Sequence, residues 1–324
     1  ADLIRAADYG FRDLATTCLE ANGRALTHAA DGYSNIVAAL STADFPSIIS
    51  ETWRGIAESR KSPQLAKVLA LTAQLEVRDY RQQSFSMADL SDLPAPSYGS
   101  TNIGYVDVDI VPTGEAIQVW STFARIAISR QALVNDDRGM FRAAIAAFQR
   151  AAHSNEMEKL VALIEANGNL ADGSPLFHAD FGNAHATPGA PSAATLGTAM
   201  GLLRNQRTEG NDLADADPAV LLVPASFETA ALATVQLLPS EARPRVIATG
   251  HLSSTGTPPW YLMASPEVYP VLGRVRMENA PLSAVNYGDF EFDEDHPGLY
   301  LPATHSVGFN VLSRVGAVRI GDPA

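Results

Sequence analysis

The chain has 324 residues, 46% of them apolar and 18% charged, a globular balance that excludes a disordered, collagenous or disulfide-scaffold protein. Lys and Arg number 23 against 36 Asp and Glu, and the formal net charge of -13 argues against a protein that tracks nucleic acid through its phosphates, though not against one that encloses it. Cys18 is the one cysteine, so there is no intrachain disulfide, no Cys-only metal site and no CxxC redox pair. The longest uncharged windows, such as 181–203, are broken by Asn183, Pro188, Pro191 and Thr195, and no stretch reads as a membrane-crossing helix. The first residue is Ala1, and the Asp2, Arg5 and Asp8 that follow form neither a basic nor an apolar leader. A cloning remnant and a proteolytic maturation site fit this start equally well.

From Asp2 to Asn22, Leu3, Ala7, Phe11, Leu14 and Cys18 recur at helical spacing before Gly23, which predicts an amphipathic helix with a glycine stop. A second helix is predicted from Pro46, with Ile49, Trp53 and Ile56 on one face and Ser62-Pro63 ending the run. Both precede any obvious sheet and read as an arm rather than a core. Between Gln82 and Gln118, Pro94, Pro96, Pro112, Gly99, Gly104 and Gly114 punctuate a polar stretch around the alternating run Val106-Asp107-Val108-Asp109-Ile110. A second extended run covers Ala116 to Arg130, with Ile117, Val119, Phe123, Ile126 and Ile128. Together they predict a long two-stranded excursion, which has no core of its own and needs support from a neighbouring subunit.

Asn135-Asp136-Asp137 offers N-cap chemistry, Arg138 to Ala166 contains no proline, and Asn167-Gly168 supplies a stop, so the longest helix is predicted there, roughly 45 Å long. Phe141, Ile145, Phe148, Ala152, Leu160, Val161 and Ile164 form its buried side, with Arg142, Arg150, Glu158 and Glu165 open to solvent. A compact α/β unit follows: a loop to Pro191, a helix with Leu196, Met200 and Leu203, the apolar strand Ala219 to Val223, and a helix begun by Pro224 with Phe227, Ala231, Val235 and Leu238. Further extended segments are read at 246–249, 260–264, 271–277 and, alternating weakly, 307–320.

Candidate chemistry is sparse. His178, Asp180 and His185 are ligand-type residues, but their spacing is not HExxH and they lie in a Gly/Pro-rich loop, where polar loop and capping roles suffice. Asp289, Glu291, Asp293, Glu294 and Asp295 lack the glycine and spacing of a calcium loop, and the interleaved Phe290 and Phe292 read as a strand with one wet face. There is no G-x-S-x-G elbow, P-loop or G-x-G-x-x-G fingerprint. Arg78, Arg81, Arg125, Arg130, Arg138 and Arg142 gather about the hairpin bases and the start of the long helix, as a solvated face or as partners for an acidic neighbouring subunit. No catalytic, cofactor-binding or metal residue is assigned.

Several segments in the same order carry a resemblance: Ala43-Asp44-Phe45-Pro46, Ile126 to Asp137, Asp172-Gly173-Ser174-Pro175-Leu176-Phe177-His178-Ala179-Asp180-Phe181-Gly182-Asn183, Leu221 to Ala225, and the Arg12-Asp13-Leu14-Ala15 to Gly23 stretch. From about residue 12 onward the chain resembles tailed-bacteriophage major capsid proteins of the Hong Kong 97 type fold, and more narrowly those encoded as a fusion of prohead protease and capsid protein. The resemblance implies an α+β fold with an N-terminal arm and helices (1–73), an E-loop (about 84–122) and a P-domain spine helix (about 137–167) within 74–167, an A-domain (168–285), and P-domain strands returning over 286–324. It implies a structural protein, without catalysis or cofactor, that self-assembles through hexameric and pentameric capsomers into an icosahedral head around double-stranded DNA. Its partners would be its own copies, a portal, and scaffold, maturation protease and decoration proteins. It would be assembled in the bacterial host cytoplasm and end in the virion, with no membrane partner.

Some members of that fold lock their shells with a Lys to Asn isopeptide bond from the E-loop. Here the lysines are Lys61, Lys67 and Lys159, none of them in that loop, so a shell without crosslinks is expected. An encapsulin-like nanocompartment shell is the nearest alternative, and a soluble hydrolase using His178, Asp180 or His185 a more distant one.

Overall fold

The computed structural model describes residues 11–24, 26, 33–40, 62–90, 110–129, 135, 138–208, 211–254, 256–288, 291–293 and 298–321. The helix predicted from Pro46 and the run 106–109 lie outside them. Two compact units emerge, each built from discontinuous stretches of chain.

The first unit draws on the chain up to Leu65, on Trp120–Asn155 and on Met277–Val307. Its helices are α1 (Phe11–Ala21), α2 (Tyr33–Leu40) and the first part of a helix whose full extent is Arg138–Ala166. Helix α1 ends where expected: Gly23 sits at φ +65° and donates to the Glu20 carbonyl, while Arg24 N–H reaches back to the Leu19 carbonyl, a left-handed cap that a side chain at position 23 would strain. The first predicted helix, read as part of an arm outside any core, packs into one, and the helix predicted from Pro46 is not among the described residues. Ala15, Leu19, Ile36 and Ala39 are fully buried and pack with Ile145, Val285, Tyr287, Leu301 and Ala303. Against that cluster lies an antiparallel sheet in which the strand Gly298–Val311 pairs with Trp120–Ser129, from Val307↔Trp120 to Gly298↔Ser129, and with the short strands Val285–Tyr287 and Glu291–Asp293. The wet-faced strand expected near residue 291 is the last of these. Alternation assigns the faces: Leu301, Ala303, His305 and Val307 point inward.

The second unit draws on Ala66–Val119, Glu156–Arg276 and the chain from Gly308 onward. Numbered along the whole chain, the remaining helices are α3 (Pro63–Leu71), α4 (Arg138–Ala166), α5 (Ala193–Arg204) and α6 (Glu228–Gln236). The strands are β1 (Ala73–Val77), β2 (Gln83–Leu90), β3 (Ile110–Ile117), β4 (Trp120–Ser129), β5 (Ala184–His185), β6 (Pro218–Pro224), β7 (Arg245–Thr249), β8 (Trp260–Ala264), β9 (Leu272–Met277), β10 (Val285–Tyr287), β11 (Glu291–Asp293), β12 (Gly298–Val311) and β13 (Ala317–Ile320). A five-stranded sheet ordered β5-β13-β8-β6-β7 forms the centre of this unit. Strict alternation splits its side chains. Leu221, Val223, Trp260, Leu262, Val318 and Ile320 pack under α5 and α6, whereas Val220, Leu222, Tyr261, Met263 and Ala317 pack against α3 and the end of α4. Sheets covered on both faces favour continuous apolar strands, which is why β6 reads PAVLLVP.

Several expectations move. Pro63, read as a stop, is the first residue of α3. The legs of the hairpin are β2 and β3, paired from Gln83↔Ile117 to Leu90↔Ile110, and not 106–110 with 116–130. Strand β4 instead belongs to the first unit. Residues 317–320, expected with the returning P-domain strands, form β13 in the five-stranded sheet beside β8. The long helix matches its predicted span, and Ile145, Leu160, Val161 and Ile164 are buried as read.

Tyr261, fully buried on β8, has a hydroxyl without a hydrogen-bond partner among the described residues, and burial, ahead of the nearby charges of Arg319 and Glu165, pushes its ionisation up to about 12. The folded form therefore holds a proton that the unfolded chain gives up near pH 10, so stability present below pH 10 is lost between pH 10 and about 12. Tyr261→Phe should raise stability at pH 7 by about 1 kcal/mol, by removing an unmatched polar group, and should weaken this alkaline loss. Urea unfolding at pH 7 and at pH 11 measures both, and a destabilised variant at pH 7 would refute it.

Candidate functional site

His178 and His185 make local loop contacts. His178 caps the short turn Ala179–Phe181, its Nδ1 accepting from Asp180 N–H at 3.2 Å, and its ring meets Phe181 edge-on. His185 Nδ1 pairs with the Thr187 hydroxyl at 2.7 Å. Among the described residues no group of three or more His, Cys, Asp or Glu side chains is placed to hold a metal ion. No helix of the described residues is long and apolar enough to cross a membrane.

The segment 172–183 that contributed to the resemblance is instead a loop held by side-chain amides. Asn167 exchanges two hydrogen bonds with the Phe177 backbone, and Asn183, buried, accepts from His178 N–H and donates to the Leu176 carbonyl. Arg314 closes it from the other side. Its guanidinium lies 4.1 Å from the centre of the Phe181 ring and pairs with Asp172 at 2.7 Å. The Ser174 N–H, with Arg314 beside it, holds the Asp172 carboxyl below the usual carboxylate range.

What stands out instead is surface that invites a partner. The β2–β3 ladder is a two-stranded sheet, joined to no third strand among the described residues. It is tied to the second unit at its base: Glu115 Oε1 accepts from Ala171 N–H at 2.6 Å, Asn310 donates to the Ala116 carbonyl at 2.7 Å, and Gln118 donates to the Tyr80 carbonyl at 2.8 Å. In the first unit, Trp120 and Phe123 on β4 are 69% and 79% exposed. Phe123 reads from the sequence only as one apolar residue of a strand, and Trp120 does not stand out there. The signal was their spacing, since residues three apart in a strand lie on opposite faces and cannot both face one core. Of the arginines singled out, Arg125 lies 3.8 Å from Glu291 with both side chains more than half exposed. Arg81 N–H is held by Asp79 in the turn before β2. Arg130 and the side chains of Arg138 and Arg142 lie outside the described residues.

A sequence model of the phage capsid protein family matches residues 121–318, more than half of the chain. The chain belongs to the phage capsid protein family. It is a structural capsid protein, a component of the virion shell in a family whose members associate with their own copies, and its mixed helix-and-sheet fold is of the Hong Kong 97 type. No curated protein matches it by sequence. Among solved structures it is similar to the SrpI encapsulin of Synechococcus elongatus PCC 7942 in its holo complex, with 12% identity, TM-score 0.52, and coverage of 80% of this chain and 87% of that one. It is also similar to a phage-related protein from Bordetella bronchiseptica RB50, with 11% identity, TM-score 0.50, and coverage of 83% and 95%. The capsid of Cyanophage P-SCSP1u aligns with 11% identity, TM-score 0.49, over 78% and 86%.

Proposed function

We propose that this capsid protein is the major shell subunit of an icosahedral phage head, built from hexameric and pentameric capsomers around double-stranded DNA and assembled in the host cytoplasm. In this reading the β2–β3 hairpin is the E-loop, α4 the spine of the P-domain, and the five-stranded unit the A-domain at capsomer centres. Portal, scaffold, maturation protease and decoration proteins are its further partners, and its role involves no catalysis. The observation that carries the reading is the hairpin: eight residue pairs of ladder, anchored at one end and paired with no third strand among the described residues. A two-stranded ribbon of that kind is marginal in water and gains its stability from what it lies on. In a closed shell each such contact is repeated by symmetry, so small interfaces suffice.

Negative-stain imaging of the purified full chain tests this, with closed shells expected. Ser86 and Gly114 face each other across the ladder, so excising 87–113 and closing the gap with an Asn-Gly turn trims the hairpin without touching its base. That variant should stay folded by circular dichroism and form no shells. Particles as abundant as the parent's would sink the hairpin's role. Because the lysines are only Lys61, Lys67 and Lys159, denaturing gels of assembled shells should show monomers and no covalent ladder. The fold shared with an encapsulin supports a second reading, a compartment that holds protein cargo. Nuclease-protected DNA in particles recovered from the native host separates the two.

A further inference from the structure

The second unit contains a pocket of about 450 Å³ to which the shell reading gives no role. That volume falls within the roughly 300–1,000 Å³ of small-molecule sites. Three stretches line it: the loop 180–183, the turn 205–208 after α5, and Arg314-Val315 before β13. Its charged side chains are Arg207, Arg314 and Asp180, so guanidiniums outnumber carboxylates there, in a chain whose net charge is -13. Both arginines are positioned by the fold. Buried Gln206 donates to the Ala317 carbonyl and accepts from Gly316 N–H, each at 2.7 Å, which pins the turn to the five-stranded sheet. Arg207 Nη1 donates to the Asn211 carbonyl at 2.6 Å, and Arg207 forms no ion pair among the described residues. Arg314 is held by the Phe181 ring and by Asp172, which leaves Arg207 as the uncompensated charge. The Arg314 Nε and the Thr208 hydroxyl are buried without a hydrogen-bond partner among the described residues, a demand that an oxygen acceptor meets.

We infer that this pocket binds a small organic phosphate, with Arg207 and Arg314 taking the phosphate and Phe181 and Val315 flanking the organic group. A guanidinium is a donor-only fork that matches oxyanions. The donors of the lining, Arg207, Arg314, Thr208 and the Asn205 amide, come from separate stretches of chain. A phosphate presents three strong acceptor oxygens to them, whereas a carboxylate offers two in one plane. Phosphate alone would leave the Phe181 and Val315 wall uncovered, so an organic group belongs to the ligand. Side chains already held in place lower the ordering cost of binding. The pocket lies wholly in the second unit, so its occupancy is independent of shell formation.

Titration calorimetry of the full chain at low salt, with phenyl phosphate, inorganic phosphate and phenol as probes, tests the site. Phenyl phosphate should bind with a Kd of about 1 mM or tighter, inorganic phosphate more weakly and phenol not at all. Arg207→Gln and Arg314→Gln should each weaken phenyl phosphate about tenfold, the loss expected for one charge-assisted hydrogen bond. Arg243→Gln should bind as the parent does, because that arginine is held by the Leu238 and Gln236 carbonyls away from the pocket. Circular dichroism checks each variant. Should Arg314→Gln lose its fold, the exposed Arg207 decides the question alone. No saturable binding of phenyl phosphate, or equal binding by Arg207→Gln and the parent, overturns the inference. Inorganic phosphate binding as tightly as phenyl phosphate overturns the organic part of the assignment. An end-phosphorylated single strand of DNA that binds where phenyl phosphate does not also overturns it, since the arginines then serve a nucleic-acid end.

Discussion

Arg274→Met should lower the unfolding free energy by about 3–5 kcal/mol, and Arg274→Met combined with Glu156→Leu should recover most of that loss. Both side chains are fully buried. The guanidinium grips the carboxylate with both ends, Nε to Oε2 at 2.9 Å and Nη2 to Oε1 at 3.0 Å, while Nη1 donates to Gln74 Oε1 at 3.1 Å. This geometry ties β9, α4 and β1 into one network inside the second unit. Each charge taken from water costs several kcal/mol, and the pair exists because each offsets the other's desolvation. Removing the cation alone takes away the charge that grips the buried Glu156 carboxylate at both oxygens. Removing both replaces an electrostatic compromise with ordinary packing, at the cost of Gln74 losing one donor. Urea midpoints of the two variants, with the denaturant slope checked for constancy, measure the difference. A single variant within about 1 kcal/mol of the parent would mean that water or another cation reaches Glu156.

This pair also marks where sequence reading stopped. The span of α4 was legible because an uninterrupted apolar stripe ran from a capping cluster to Asn167-Gly168, and β6 because a run of buried apolar residues stood between prolines. Glu156 and His153, by contrast, lie on the same helix as the solvent-facing Glu158 and Arg150 but are almost fully buried. Nothing local distinguishes a carboxylate that will meet Arg274 more than a hundred residues later from one that will meet water. Proline misled for a related reason: Pro63 is equally compatible with ending one element and opening the next, and it opens α3. The hairpin's first leg, QSFSMADL, has weak alternation, and its identity as a strand is settled by register with β3, not by local preference. Pairing of β4 with β12 is likewise a non-local choice. The exposed Trp120 and Phe123 could not be recognised as surface until that pairing assigned their faces.

Gly308→Ala tests the tightest backbone approach in the second unit and should cost about 3 kcal/mol or more. Gly308 lies within β12, and a Cβ there would run into the Gln118 carbonyl oxygen, 2.7 Å from its carbon and 2.8 Å from Val275 Cγ1. Val275 is a side chain and can turn, but the Gln118 carbonyl is main chain at the junction between β3 and β4 and cannot yield alone. Moving it displaces the base of the hairpin, where the Gln118 amide holds the Tyr80 carbonyl. A conformational argument does not apply, since Gly308 is not in the left-handed region; the constraint is space. Gly197→Ala provides the opposite sign in the same unit. It lies exposed within α5 with nothing within 4 Å of a new methyl, and alanine there should stabilise by about 0.5–1 kcal/mol through helix preference alone. Parallel thermal unfolding and soluble yield of the two variants form the measurement. Gly308→Ala melting together with the parent would mean that β12 and the Gln118 junction are not in van der Waals contact, and that the hairpin is anchored by its side-chain hydrogen bonds only.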